Sequence, residues 1–244
     1  DPAHRIVSMC YEAFPKKSQV SIPVIPDGCV DVVLAFSNDF CQGISVCGTI
    51  STLYAMDFQE SDYIFGMRFL PGKFPPELMD EQHDLALHVR EWKFIDAMRQ
   101  SANFYERVAL AREYLSEFAR SDEYKEMLVQ HTVDMICNSG GNVGIERISQ
   151  ELVYSPRYVE RVFKEYTGFS PKKMCRLVRA HKALLMLLCS KEFSKTMISL
   201  ECGYADLSHM NRELKSVLGV TPKMIGREDF YLGSTKASQT VYNF

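Results

Sequence analysis

The chain lacks most of what would mark an enzyme or a membrane protein. It has no run of about eighteen apolar residues, so no membrane-spanning helix is expected. Neither a Gly-rich phosphate loop nor a nucleophile-elbow sequence occurs, and nothing argues for catalysis or a cofactor. The eight cysteines (10, 29, 41, 47, 137, 175, 189 and 202) include no C-x2-C pair. The wide spacing of Cys29, Cys41 and Cys47 does not suit zinc, and reduced thiols are expected, with Cys175, Cys189 and Cys202 at apolar helix positions. His83 and His88 are five apart, off a shared helical face, while Asp27 and Asp31 flank a turn and a strand. A signal-peptide pattern is also missing, and Asp1 stands where an initiator Met would, so a trimmed start and a cytoplasmic location are the expectation.

What is present is divided unevenly. The net charge of −3 conceals an acidic body and a basic end: residues 1–142 hold 12 Lys/Arg against 21 Asp/Glu, and residues 143–244 hold 16 against 10. That asymmetry suits a nucleic-acid module joined to something that does not bind nucleic acid. Along the first part, 20–24, 29–36, 44–50 and 63–69 are short β-branched or aromatic runs separated by turn signals, which predicts a small antiparallel sheet or barrel. After Pro75-Pro76 helical periodicity takes over. One stripe is Tyr105, Val108/Ala109, Arg112, Leu115 and Phe118/Ala119; the next is Met127/Leu128, His131/Thr132 and Met135/Ile136. Asn138-Ser139-Gly140-Gly141-Asn142 reads as a linker, and a boundary at 121/122 assigns the second stripe to the second domain. The segment 227–244 reads as a polar tail, frayed over 233–239.

The last hundred residues hold one pattern twice. Ile148–Leu152, a turn through Ser155, Tyr158–Lys164 and Gly168-Phe169-Ser170-Pro171 form the first copy. The second is Ile198–Cys202, a turn through Asp206, His209–Lys215 and Gly219-Val220-Thr221-Pro222. Each reads as short helix, tight turn, second helix, stop, the layout of a helix-turn-helix. Ser155 with Pro156, and Asp206, are suited to start the second helices; Gly168 and Gly219 to end them; Gly203 to take a positive φ in the longer second turn. A tandem pair on a basic segment points to DNA.

In the first copy Val159, Val162/Phe163 and Tyr166 form an apolar stripe, and Arg157, Glu160/Arg161 and Lys164 a polar one. In the second the stripes are Met210, Leu214, Val217/Leu218 and Ser208, Asn211/Arg212, Lys215. A charged stripe is usually a solvated face, but Arg and Lys recur at matching positions here. Arg suits guanine, Asn and Ser suit adenine or either base edge, and Glu160 either accepts from cytosine or pairs with Lys164. Between the copies, 171–188 reads as one helix of about 27 Å, with Met174, Leu177/Val178, His181, Leu184/Leu185 and Leu188 inward, against about 34 Å between successive major grooves. Its Lys172, Lys173, Arg176, Arg179 and Lys182 meet either phosphate or water.

Residues 143–225 resemble the AraC/XylS family of bacterial transcription regulators, the stretches 155–171 and 202–222 matching its two motifs. By position, the resemblance implies base contacts from Arg157, Glu160 and Arg161, and from Ser208, His209, Asn211 and Arg212; Lys164 and Lys215 complete the candidate DNA-binding set. It also implies stronger reading by the first copy and, in the usual sense of the family, an activator that engages RNA polymerase. The second copy departs from the pattern at Leu207, Glu213 and Leu214. In the first half, 25–36 and 66–72 resemble an N-terminal domain of one branch of such regulators.

The expected fold is therefore α+β: a β-rich sensor or oligomerisation domain with trailing helices (1–121), then an all-α domain with two helix-turn-helix motifs and a linker helix (122–226). The expected partners are double-stranded DNA, RNA polymerase, and a small-molecule effector, a second copy of the chain, or both. An effector pocket would be lined by strand residues of one parity, Val30, Val32, Leu34 and Phe36 or their alternates. Two rival readings remain: an alkylation-repair regulator with a reactive or zinc-bound cysteine, and an interaction module that has lost DNA binding.

Overall fold

The computed structural model describes residues 7–14, 19–24, 27–37, 40–47, 54–59, 63–74, 95–101, 103–116, 123–189, 193–221 and 238–243. Pro75-Pro76, His83, His88, Phe118, Ala119 and the segment 222–237 lie outside them.

The β-branched and aromatic runs of the first half form β1 (Val7–Phe14), β2 (Gln19–Val24), β3 (Val30–Ser37), β4 (Phe40–Cys47), β5 (Tyr54–Gln59) and β6 (Tyr63–Phe69). β4 begins four residues before the apolar run at 44, and β5 carries no strand signal strong enough to have been expected. A five-stranded antiparallel sheet has the order β4-β3-β6-β1-β7, and β2 pairs with β5 in a separate ladder. The outer strand β7 is Ser238–Asn243, which pairs with β1 from Met9↔Asn243 to Phe14↔Ser238. Six residues of the polar tail, two of them from the stretch expected to fray, therefore belong to the first half's sheet. Their ladder bonds, which composition does not reveal, go to a strand at the other end of the chain.

Register explains which face of the sheet is covered. Val30, Val32 and Leu34 lie opposite Phe69, Met67 and Phe65, and alternation puts these pairs and Phe36 on one face. Two helices, α1 (Ile95–Gln100) and α2 (Phe104–Ser116), pack on it through Met98, Phe104, Val108, Ala111 and Leu115. The even parity thus faces these helices, while Val33, Ile64 and Ala13, of the other parity, are buried on the opposite face. The stripe of α2 is also rotated by one position, with Phe104 buried and Tyr105 66% exposed. Adjacent apolar residues leave a helical stripe ambiguous by that 100° step.

In the second half, α3 (Glu123–Asn138), α4 (Ile145–Leu152), α5 (Pro156–Thr167), α6 (Pro171–Cys189), α7 (Lys195–Glu201) and α8 (Leu207–Leu218) share one core. Leu128, Val129, Val133 and Ile136 of α3 contribute to it; Met127 faces out, as do Leu185 and Cys189 of α6. Two turns of the first half reach this domain. Gly28 (φ 84°) lies beside Phe169, and Gly72 (φ 76°) sits so close to α3 that an added Cβ would lie 2.7 Å from Val129 Cγ1 and 3.3 Å from Thr167 Cγ2. At Gly72 both the backbone region and the space exclude a side chain.

Candidate nucleic-acid interface

Local capping builds both motifs. In the first, the Ser155 hydroxyl accepts from Tyr158 N–H, Pro156 occupies the first helical position, and Gly168 ends α5 at φ 78° while donating to the Lys164 carbonyl. In the second, the Asp206 carboxylate accepts from His209 N–H at 2.6 Å, and Gly219 ends α8 at φ 70°. Gly203 takes φ 81°, as the longer turn requires. Ser170 caps α6 by accepting from Lys173 N–H, and Ser194, which the sequence reading did not single out, caps α7 through Met197 N–H. The first turn holds the surprise: Val153 ends α4 at φ 59°, in the left-handed region. That conformation costs an L-residue roughly 1–2 kcal/mol, and β-branching makes it worse.

The apolar stripes of both second helices are buried: Val159, Val162, Phe163 and Tyr166 on α5, and Met210, Leu214, Val217 and Leu218 on α8. Arg157, Glu160, Arg161 and Lys164 are consequently exposed on the opposite side of α5. Arg161 does not wave freely. Its guanidinium lies 5.1 Å over the Tyr158 ring, Tyr158 stacks on Tyr154 at 5.0 Å, and Glu165 pairs with Arg161 at 3.5 Å one turn on. Tyr154, Tyr158 and Glu165 were missed by sequence reasoning, although aromatic and acidic residues three before and four after an Arg are a legible signal. No ion pair joins Glu160 to Lys164 among the described residues.

On α8, Ser208, Arg212 and Lys215 are exposed, and His209 is half-buried, edge-on to Tyr204 at 5.3 Å. Asn211 is half-buried, and its Oδ1 is enclosed with no hydrogen-bond partner, which withdraws that atom from a base edge. Glu160 and His209 nevertheless line one open cleft of 890 Å³ with Lys172, Arg176, Arg179 and Glu213. Candidates from both copies thus border a common space.

The basic row on α6 is largely engaged within the protein. Arg176 and Arg179 both pair with Glu213, at 2.9 and 2.8 Å. Burial works against the charge of Arg179, but the Glu213 carboxylate outweighs it and holds the guanidinium above its ordinary range. Lys182 donates to the Glu201 carbonyl at 3.1 Å, and Lys173 lies over Phe169. Of the five, Lys172 stays exposed.

The cysteine and acidic candidates of the first half resolve differently. Burial, with the charge of Asp31 behind it, pushes the Cys29 thiol up to about 12, and burial does the same to Cys10. Such thiols are poor nucleophiles. No group of three potential metal ligands occurs among the described residues. Asp27 accepts from Cys29 N–H at 2.9 Å, and both Asp27 and Asp31 pair with Arg68. No described helix is long and apolar enough to cross a membrane.

Comparison with known proteins agrees with this geometry. Residues 148–228 match the model of a helix-turn-helix domain, and residues 5–89 match a domain of unknown function (DUF6597). The chain is 29% identical over 96 residues to the HTH-type transcriptional regulator ArgR of Pseudomonas aeruginosa, covering 39% of this chain and 29% of that one. It is 29% identical over 119 residues to the HTH-type transcriptional activator RhaS of Escherichia fergusonii, covering 48% and 41%. It therefore spans well under half the length of these relatives. The solved C-terminal domain of AraT, a response regulator from Geobacillus stearothermophilus, is similar at 26% identity over 40% of this chain and 82% of that one, with a TM-score of 0.37. The two capped motifs, the helix joining them and the match over 148–228 show that this part of the chain is a helix-turn-helix domain, similar to those of the AraC/XylS family of transcription regulators.

Proposed function

We propose that the chain is a sequence-specific transcription activator that lays α5 and α8 in adjacent major grooves and recruits RNA polymerase in the cytoplasm. The observation that carries this reading is the pair of capped second helices, each with its apolar stripe buried and Arg and Lys left exposed. The nineteen residues of α6 join them, a rigid span of about 28 Å at 1.5 Å per residue. Arg157, Arg161 and Glu160 read bases from α5, Ser208, His209 and Arg212 from α8, and Lys164 and Lys215 neutralise phosphate. The activating sense rests on the resemblance to RhaS, named an activator.

The first half modulates this binding, as a site for a small molecule or a second copy of the chain. Its turns at Gly28 and Gly72 touch Phe169 and Thr167, at the end of α5, so a shift of the sheet is felt where the first recognition helix stops.

Titrating fragments 1–121 and 122–226 against random-sequence duplex at low and high salt tests the reading. Fragment 122–226 is expected to bind, and to lose about a thousandfold in affinity between 50 and 200 mM salt if about six phosphates are neutralised. Equal affinities for the two fragments would refute it.

A further inference from the structure

At one buried position the two recognition helices exchange an apolar residue for a charged one. Val162 of α5 is fully enclosed, and its counterpart 51 residues on is Glu213 of α8, only 6% exposed. A carboxylate is stable in such a place only when its charge and lone pairs are met. Arg176 Nε donates to Glu213 Oε2 at 2.9 Å, while Arg179 Nε and Nη2 donate to Oε1 at 3.0 and 2.8 Å. Arg176 Nη2 also donates to Ser216 Oγ at 3.0 Å. Two residues one turn apart on α6 thus grip two residues one turn apart on α8. The far side of the clasp is closed by Tyr204, whose ring lies 5.1 Å from the Arg179 guanidinium. Apolar attraction has no preferred direction, whereas charged forks have fixed directions and hold one register.

We infer that Glu213, acting through Arg176 and Arg179, is a positioning residue that fixes the rotation and offset of α8 on α6, and thereby the base-pair spacing between half-sites that the protein accepts. The inference rests on the two-groove reading above. It also takes Arg179 out of the set of phosphate anchors, since its Nε and Nη2 face Glu213, and commits the Nε of Arg176 in the same way.

The test uses the full chain and duplexes carrying its selected site, with zero, one or two base pairs inserted between the half-sites. Each inserted pair turns the second groove by about 34° and moves it by about 3.4 Å. The unaltered protein is expected to lose at least about tenfold in affinity per insertion, comparable to a mismatched base pair. Glu213→Gln keeps the shape and removes the charge; it is expected to lose less than about threefold per insertion while binding the first half-site alone as tightly as before. Glu213→Asp, with the charge on a shorter arm, is expected to fall between. Arg176→Gln, at a partly exposed residue, repeats the test should Glu213→Gln fail to fold, and is expected to flatten the penalty in the same way. Folded glutamine variants that keep the full spacing penalty would overturn the positioning role, since a merely structural role lowers the melting temperature and leaves spacing preference intact. An unaltered protein that binds its site but ignores spacing overturns the two-groove reading and the inference with it, whereas one that binds no DNA overturns the proposed function itself.

Discussion

The two motifs repeat one plan, yet they solve its two hard problems with different chemistry. At the turn, the second copy uses Gly203 at φ 81°, while the first forces Val153 to φ 59° with its side chain 87% exposed. At the contact with the rest of the domain, the first copy buries Val162 and the second buries Glu213 under two arginines. The first copy therefore has an apolar foundation beneath a strained turn; the second has a relaxed turn above an ionic foundation. Strain beside an exposed reading face is tolerated when the core beneath is secure, and the first copy has Phe163, Tyr166 and Phe169 in that core.

The largest effect should come from transplanting the second foundation into the first copy. Val162→Glu places a carboxylate in the apolar core of the domain, and is expected to cost about 4 kcal/mol or more. Denaturant unfolding would register this; a loss below about 1 kcal/mol would show that the two sites are equivalent after all.

Next come the readers. Arg161, held by Tyr158 and Glu165, meets DNA with less freedom to lose than Arg212, so Arg161→Ala is expected to cost about 1–3 kcal/mol of discrimination at one base position and Arg212→Ala less. Competition between single-base variants of the site measures both, and equal, sequence-blind losses would recast Arg161 as a phosphate anchor. Lys164→Ala should weaken all sequences alike and lower the salt slope by about 1.

The smallest effect is at the turn. Val153→Gly relieves roughly 1–2 kcal/mol of left-handed strain and gives back roughly 0.5–1 kcal/mol in unfolded-chain entropy, a net gain of about 0.5–1 kcal/mol. The reverse exchange, Gly203→Val, should destabilise, because an added Cβ would lie 2.2 Å from Asn142 Oδ1. A melting curve showing both changes neutral would erase the contrast between the turns.

What could be read in the sequence was local. Ser155-Pro156, Asp206, Gly168 and Gly219 announce helix ends because a cap bonds within three or four residues of itself, and the apolar stripes of α5 and α8 follow from the same short-range period. The strand order, the pairing of β7 and the even parity of β3 depend on partners far along the chain, and composition carries no record of them. Glu213 shows the limit most clearly. It stood out as a departure from the family's pattern, but its partners lie 34 and 37 residues earlier, on a face that reads as a row of cations free for phosphate. Asn211, placed among the readers by position, has its amide oxygen turned into the protein.

The pairing of β7 with β1 also imposes an order of events during synthesis. Phe14 and Ser238 are ladder partners 224 residues apart, and at roughly 5–20 residues per second the ribosome needs about 11–45 s to deliver the second after the first. Throughout that interval β1 can pair on its β6 side alone, leaving a row of backbone donors and acceptors open to any passing strand. The helical domain, whose contacts are closer in sequence, has been made and can fold while the older sheet still waits for its edge. A strand made early in this protein is thus among the last to be sealed.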